Sequence, residues 1–298
     1  MSARRRHRIA VAVVIAAAAA LIPNLASAAT PAPAASAAQG AELTISNGSP
    51  WVYMNGKSVN FHTDVRDLAW NPAGTKAVFV DSNGNLETAN ADGSGRVVAV
   101  KAPAGVAFSH PTWETSPSTV VGDYPGNNLI FTAAVKSFSE LEWVPATGVN
   151  AKPYVLNGLN GSNWANAGAN LTNIAQRKGS FVFDNTRTGD VYIADAYLRM
   201  QTTGLGRGSE AALSPNGDEV VFVRSVSGHD HLIEENVTNH AVTDLTPHAT
   251  TNYTEPTFSS NGATIAFRAP NGTYTMSATG NHAATKVTGS VGLIAYRA

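Results

Sequence analysis

One position in a repeated sequence pattern carries side chains that could bind a cation. It is occupied by Asp67, His110, Leu171, Glu210 and Glu255, each three residues before an apolar residue in a predicted strand. Carboxylates brought close together repel and raise one another's pKa unless a cation lies between them. The recurrence predicts that Asp67, His110, Glu210 and Glu255 bind a cation or a basic peptide. The alternative is that these residues only cap the strands and bond to the neighbouring repeat.

A second cluster consists of residue types that commonly bind metal ions. His229, Asp230 and His231 place two imidazoles on either side of a carboxylate, which could bind a transition metal. The cluster falls in a predicted hairpin turn and has no third ligand nearby in the sequence. The alternative is a solvated turn without a metal.

Sequence signatures of catalysis are otherwise scarce. The chain has no G-x-S-x-G and no H-E-x-x-H pattern, and it has no cysteine. The lack of cysteine excludes disulfides, thiolate metal sites, cysteine nucleophiles and a lipidated cysteine anchor. Paired carboxylates drawn from different repeats remain open as glycosidase-type groups, but the sequence singles out no catalytic residue.

These side chains belong to short segments that read as strands. The segments are rich in Val, Ile, Phe, Tyr and Thr and are separated by N-G, D-G and S-G pairs, which are typical of hairpin turns. No segment shows an amphipathic helical period over three turns. The sequence therefore predicts an all-β fold.

The strands recur as a repeat. WNPAGTKAVFV, LSPNGDEVVFV and FSSNGATIAFR, at 70–80, 213–223 and 258–268, each combine an apolar residue, a turn with glycine and a strand with phenylalanine. Weaker copies occur in NNLIFTAAV and GSFVFDNT. The phenylalanines, which fall at intervals that suit four-stranded units, are Phe79, Phe131, Phe183, Phe222 and Phe267.

This repeat, with a D-G-type turn after the phenylalanine, resembles the PD40 repeat of TolB-like β-propellers over most of residues 65–289. The resemblance implies four-stranded blades, six in number with seven as the alternative. It also implies that Asp67, His110, Glu210 and Glu255 gather at one mouth of a central channel. Propellers of this family join other envelope proteins without catalysing a reaction. We expect the N-terminal α/β domain of a full TolB translocation protein to be missing here.

The two ends of the folded part predict how the ring closes. AELTIS, WVYMNG and KSVNFHT read as three strands without an inner partner, and VGLIAYRA at 291–298 reads as one strand without followers. We expect these four strands to share one blade, which would remove the open sheet edges that template aggregation.

The N-terminus reads as a signal peptide. Four arginines within residues 4–8 precede an apolar run over 9–22, too short at about 21 Å to cross the ~30 Å hydrocarbon core comfortably. Ala26-Ser27-Ala28 fits a cleavage site, so we expect residues 1–28 to be removed by the general secretory route. An uncleaved anchor is the alternative. Residues 29–41 read as a flexible Ala/Pro-rich lead-in to one domain over 42–298.

The net charge of the chain limits the classes of partner that it can bind. Four of the 20 basic residues lie in the leader, against 21 Asp and Glu elsewhere, which leaves the rest of the chain at a formal charge of −5. This balance disfavours nucleic acid as a partner, and no membrane insertion is expected after cleavage. We therefore expect a secreted or envelope-associated propeller that binds a protein or peptide, such as a secreted enzyme, without a cofactor. The alternative is a propeller hydrolase or lyase that uses the mouth carboxylates with or without a divalent cation.

Overall fold

The structure of the protein, a computed structural model, describes residues 42–114, 127–156, 170–177, 179–195 and 202–298. These residues form β-strands and no helix, so the predicted all-β class is confirmed, and no helix among them could cross a bilayer. The strands are, in chain order, β1 (Glu42–Ser46), β2 (Ser49–Met54), β3 (Lys57–Trp70), β4 (Lys76–Val80), β5 (Leu86–Asn90), β6 (Val97–Val100), β7 (Ala107–Trp113), β8 (Asn128–Val135), β9 (Phe138–Pro145), β10 (Tyr154–Val155), β11 (Leu171–Arg177), β12 (Ser180–Asn185), β13 (Asp190–Asp195), β14 (Thr202–Arg207), β15 (Ser209–Leu213), β16 (Glu219–Val226), β17 (His229–Asn236), β18 (Val242–Asp244), β19 (Thr254–Phe258), β20 (Thr264–Ala269), β21 (Gly272–Ser277), β22 (Thr285–Thr288) and β23 (Leu293–Arg297).

Four of the sheets have the four-stranded arrangement expected from the repeat. Each runs antiparallel in chain order, as β7 to β10, β11 to β14, β15 to β18 and β19 to β22. Strands that are consecutive in the chain are neighbours in each of these sheets, so each sheet forms from one continuous piece of chain. The three clearest repeat hairpins of the sequence join β3 to β4, β15 to β16 and β19 to β20.

The remaining sheet has seven strands in the order β23-β1-β2-β3-β4-β5-β6. The long strand β3 belongs to both of its halves. Up to Val65 it pairs with β2, and from Arg66 onward it pairs with β4. Each half therefore has four strands, with β3 shared between them.

The first and last described strands pair with each other. Strand β1 runs antiparallel to β23, from Glu42 opposite Arg297 to Ser46 opposite Leu293. The Thr44 hydroxyl also donates a 2.8 Å hydrogen bond to the Ala295 carbonyl oxygen. The prediction that the terminal strands share one sheet is confirmed.

The core lies between neighbouring sheets. The repeat phenylalanines occupy the second strand of each unit and are at most 2% exposed: Phe79, Phe131, Phe183, Phe222 and Phe267. One cluster joins Val78 of β4 to Phe131 of β8, and another joins Val221 of β16 to Phe267 of β20. Apolar burial between sheets is thus what holds successive units together.

Six of the described strands surround a central cavity. Strand β7 contacts β3 and β11, β15 contacts β11 and β19, and β23 contacts both β19 and β3. The contacts form a closed cycle of inner strands, and residues from all six line the cavity. This arrangement is that of a propeller channel.

Candidate functional site

Five of the inner strands contain the same β-bulge, and each bulge lies opposite a repeat phenylalanine. In β15 the pairing jumps from Ser209 opposite Val223 to Ala212 opposite Val221, so that two residues face Phe222 alone. The same shift occurs in β3, β7, β11 and β19. A bulge locally turns the strand and redirects its side chains, and here residues of all five bulges line the same cavity.

The first residue of each bulge has a positive φ, between 47° and 56°. These residues, called the ring residues below, are Asp67, His110, Asn173, Glu210 and Glu255. Non-glycine residues are uncommon in this region, and asparagine and aspartate tolerate it best. Four of them, all except Asn173, are residues that the repeat pattern of the sequence singled out. The predicted Leu171 is wrong, because Asn173 holds the equivalent place and Leu171 is instead a buried core residue.

The ring residues surround the cavity at what we call the channel mouth. The cavity has a volume of about 140 Å³. Four ring residues line it, namely His110, Asn173, Glu210 and Glu255. Asp67 does not line the cavity, but Leu68, Ala69 and Trp70, which follow it in β3, do. The apolar residues that line the cavity include Leu68, Pro111, Ile174, Ala211, Pro256 and Ile294.

Two ring carboxylates bond to the next unit along the chain. Asp67 Oδ2 accepts a 3.2 Å hydrogen bond from the backbone N–H of His110. Glu210 Oε2 accepts a 2.7 Å hydrogen bond from the backbone N–H of Glu255. These bonds satisfy the N–H groups of two bulges, so Asp67 and Glu210 have the inter-unit capping role that the sequence offered as the alternative.

At the other two junctions the acceptor comes from a second strand. Thr132 Oγ1 accepts a 3.1 Å bond from the Asn173 N–H, and Asp184 Oδ2 accepts 2.7 Å bonds from the Glu210 N–H and the Asn173 side-chain amide. Sequence analysis missed both acceptors. Each directly follows a repeat phenylalanine, and Arg268 follows Phe267 in the same way. A polar residue after the phenylalanine was the available signal.

His110 and Glu255 meet across the cavity. His110 Nε2 lies 3.8 Å from Glu255 Oε2, and Arg268 Nη2 lies 3.9 Å from the other oxygen of Glu255. Asp67 is also 3.6 Å from Arg66 Nη1. The negative charge of the mouth is therefore partly balanced by groups of the protein itself.

Burial alters the titration of Glu210. Burial and the negative charge of Glu255 raise the pKa of Glu210 to about 7, against the opposing effects of the Glu255 N–H and of Arg268. Taking two neighbouring carboxylates out of water disfavours their both being charged. Near neutral pH, Glu210 therefore holds a proton for a substantial part of the time.

The surroundings also raise the pKa of two further groups, Asp184 and His110. Burial raises the pKa of Asp184 to about 6, although its hydrogen bonds with Glu210 and Asn173 lower it. For His110, burial lowers the pKa, but its interaction with Glu255 and the charges of Asp67 and Glu210 outweigh burial. The pKa of His110 therefore lies above its ordinary value.

Comparison with known proteins rests on structure. No protein-family model matches the sequence, and no curated protein matches it. TolB from Acinetobacter baumannii superposes with a TM-score of 0.62 at 18% identity, over 86% of this chain and 66% of that one. A TolB candidate from Agrobacterium tumefaciens gives 0.58 at 14% identity, over 83% and 88%. A chain of the nidogen/laminin complex gives 0.61 at 10% identity, over 87% and 99%.

The chain has the TolB-like β-propeller fold. The neighbours are too distant in sequence to carry residue roles across, so the roles at the mouth come from the geometry of this chain alone.

The second predicted cluster of this TolB-like propeller lies in a strand and not in the hairpin turn expected from the sequence. His229, Asp230 and His231 begin strand β17 just after the turn at residues 227–228. His231 is buried and its Nδ1 lies 2.8 Å from Asp244 Oδ2, whereas the Asp230 N–H bonds to the Asn252 side chain. In the part of the chain that the structure describes, no group of three or more His, Cys, Asp or Glu side chains is placed to hold a metal ion.

Proposed function

We propose that the protein is a secreted or envelope-associated β-propeller that binds a protein or peptide through a basic group at the channel mouth, without catalysis. The observation that carries this proposal is the pairing of Glu210 with Glu255 beside the cavity. One of the two is driven to hold a proton because both are partly removed from water. A cation from a partner would relieve this repulsion, whereas an anionic or neutral ligand would not.

The size of the cavity supports binding over catalysis. Small-molecule and substrate pockets measure roughly 300 to 1,000 Å³, and this cavity measures about 140 Å³. A space of that size takes an ammonium or guanidinium group with a short aliphatic stem. The rest of a peptide would lie on the rim.

Exposed aromatic side chains on the described strands also favour a binding surface. Trp51 is 54% exposed and lies two residues after Ser49, which pairs with Val65 next to the Asp67 bulge. Phe138 is 36% exposed at the β8–β9 hairpin, where it pairs with Val135. Aromatic residues are enriched where proteins bind other proteins.

The channel-mouth proposal can be tested with a defined basic probe. Acetyl-Gly-Lys-Gly-amide should bind residues 29–298 by calorimetry, and the same peptide acetylated on its lysine should not, because only the charge differs. Glu210→Gln combined with Glu255→Gln should weaken binding and leave the empty protein at least as stable. Asp218→Asn, an exposed carboxylate on the β15–β16 turn, is the control. Equal binding of both peptides, or of the wild type and the double variant, would reject the proposal.

A hydrolase or lyase is the second candidate function. It is favoured by one observation, that Glu210 and Asp184, joined by a hydrogen bond from the Glu210 N–H to Asp184 Oδ2, both have raised pKa values. A divalent cation would be its cofactor. Calorimetric titration with calcium, magnesium, manganese and zinc tests that version, and Glu210→Gln should then abolish metal binding.

We propose six blades, closed by the pairing of β1 with β23. The six inner strands around the cavity support this number, with β3 serving as the outer strand of one blade and the inner strand of the next. Seven blades would require another inner strand from residues outside those described. An experimental structure of residues 29–298 tests the count.

We also propose that residues 1–28 are removed on export and that residues 29–41 form the lead-in. Both segments lie outside the described residues, and the composition of the leader supports the proposal. N-terminal sequencing of protein recovered from the medium or envelope should begin at or near Ala29. A sequence that begins at Met1 would reject cleavage.

A further inference from the structure

His110 and Glu255 reach each other from opposite sides of the channel. Strand β7, which carries His110, contacts β3 and β11, whereas β19, which carries Glu255, contacts β15 and β23. In the cycle of six inner strands, β7 and β19 are three strands apart in both directions. The 3.8 Å approach of Nε2 to Oε2 therefore spans the cavity that both residues line.

The imidazole of His110 is held on one side only. Its backbone N–H is fixed by Asp67, but its Nδ1 is buried and has no hydrogen-bond partner among the described residues. A buried polar atom without a partner costs free energy. Rotation about the side-chain bonds could relieve this cost while the backbone stays in place, so the geometry does not lock the ring over the cavity.

The charges around the pair determine when it forms. His110 faces the negative groups of Glu255, Asp67, Glu210 and Asp184. Glu255 faces Glu210 and Arg268 in addition to His110, and Arg66 partly neutralises Asp67. Protonated His110 thus balances the acidic side of the cavity together with Arg66 and Arg268.

We propose that His110 and Glu255 form a pH-dependent gate over the central cavity, which opens when His110 loses its proton and lets a basic group of the partner replace the imidazole at Glu255. This inference rests on the proposed function, because it concerns how access to the same site is regulated. Two cations compete for one carboxylate. Affinity for a basic ligand should therefore rise as the pH rises through the pKa of His110.

A second group acts in the same direction. Glu210 loses its proton with a pKa of about 7, which adds a negative charge next to Glu255. Each group that must lose a proton for binding contributes up to about tenfold in affinity per pH unit below its pKa. We expect affinity for a basic ligand to rise about tenfold or more between pH 6 and pH 8.

The probe is acetyl-Gly-Lys-Gly-amide, measured by calorimetry at pH 6, 7 and 8 against wild type and His110→Gln. Glutamine keeps a polar side chain but carries no charge, so this variant should bind the probe more tightly than wild type at pH 6. The increase in its affinity between pH 6 and pH 8 should be at most half that of the wild type. His240→Gln is the matched control, because His240 also faces a glutamate, with Nδ1 3.0 Å from Glu235 Oε1, but lies on a turn. It should retain the wild-type profile.

A second measurement avoids dependence on the folding of one variant. Histidine NMR titration of the wild type should give a raised pKa for His110, which falls when the probe is added and falls again in Glu255→Gln. If the probe binds but neither change moves the pKa of His110, the gate is wrong and the proposed function stands. If the probe binds at no pH although Glu255→Gln lowers the pKa of His110, the proposed function is wrong and so is displacement by a partner. A His110→Gln profile identical to wild type would also overturn the gate.

Discussion

Arg297 Nε donates a 2.6 Å hydrogen bond to the carbonyl oxygen of Gly74, 223 residues away in the sequence. The guanidinium also bonds to Glu42 at 2.8 Å and lies over the Trp70 ring, 5.3 Å from its centroid. The last strand is therefore fastened both to the first strand and to the turn after β3. Closure of the sheet depends on side chains as well as on the β1–β23 ladder.

We expect Gly74→Ala to weaken this closure. Gly74 has a φ of +63°, and a Cβ atom there would lie 2.5 Å from the carbonyl oxygen of Ala298. The backbone strain alone costs about 1 kcal/mol, and the displaced C-terminus should add to it. Gly56→Ala is the control, because Gly56 has a φ of +88° with nothing within 4 Å of its Cβ. Equal losses of melting temperature in the two variants would show that the C-terminal contact does not matter.

Removal of a repeat phenylalanine should destabilise the fold strongly. Phe222→Ala and Phe267→Ala each empty a fully buried site between sheets, so each should lower the free energy of unfolding by about 3 to 5 kcal/mol. Phe138→Ala, at a side chain that is 36% exposed, should change it by less than about 1 kcal/mol. Urea denaturation measures all three. Comparable losses at Phe138 and Phe222 would contradict the packing described above.

The raised pKa of Glu210 makes stability depend on pH. The folded protein binds a proton at Glu210 more tightly than the unfolded chain, whose glutamate pKa is near 4.5, so this contribution is full below that value and is lost as the pH rises to about 7. Glu210→Gln should remove the loss and stabilise the protein at pH 8 by on the order of 1 to 3 kcal/mol. Melting temperatures from pH 4.5 to 8 measure the effect. Asp218→Asn should follow the wild type, and a parallel fall in Glu210→Gln would show that other groups cause it.

His229 and His231 should differ in what they contribute. His231→Ala removes a buried side chain bonded to Asp244 and should cost about 1 to 3 kcal/mol, whereas His229→Ala should cost less than about 0.5 kcal/mol. If the cluster were a metal site, both substitutions would instead weaken zinc binding to a similar degree. Urea denaturation and zinc calorimetry of the two variants distinguish these results.

Much of the fold was predictable because two features of the sequence point to it, the repeat itself and the unpaired segments at its two ends. The turn glycines and buried phenylalanines locate the hairpins of β3–β4, β15–β16 and β19–β20, and the unpaired segments at the ends predict the β1–β23 pairing. Both signals are local in sequence and depend on few residues. The sharing of β3 by two units was not apparent from the sequence. β3 changes its pairing strand from β2 to β4 between Val65 and Arg66, and no glycine or proline marks this point.

The ring was predicted less well where the repeat degenerates. In three units the ring residue precedes the phenylalanine by 12 residues, and the same count back from Phe183 gives Leu171. The third hairpin is shorter, with Arg177 paired to Ser180, so the bulge falls at Asn173 instead. Backbone preference offered a better guide than spacing, because a positive φ suits asparagine and is costly for leucine. The acceptors Thr132 and Asp184 lie on other strands, and only the folded geometry brings them to the ring.

The antiparallel pairing of β1 with β23 also determines how the molecule would respond to a pulling force. Because Glu42 lies opposite Arg297, the first residue of β1 and the last residue of β23 lie side by side at the same end of one sheet. Tension applied between them would load the cross-strand hydrogen bonds one pair at a time, since these bonds run perpendicular to the strands. We expect the β1–β23 pair to separate at low force, before the other sheets carry any load.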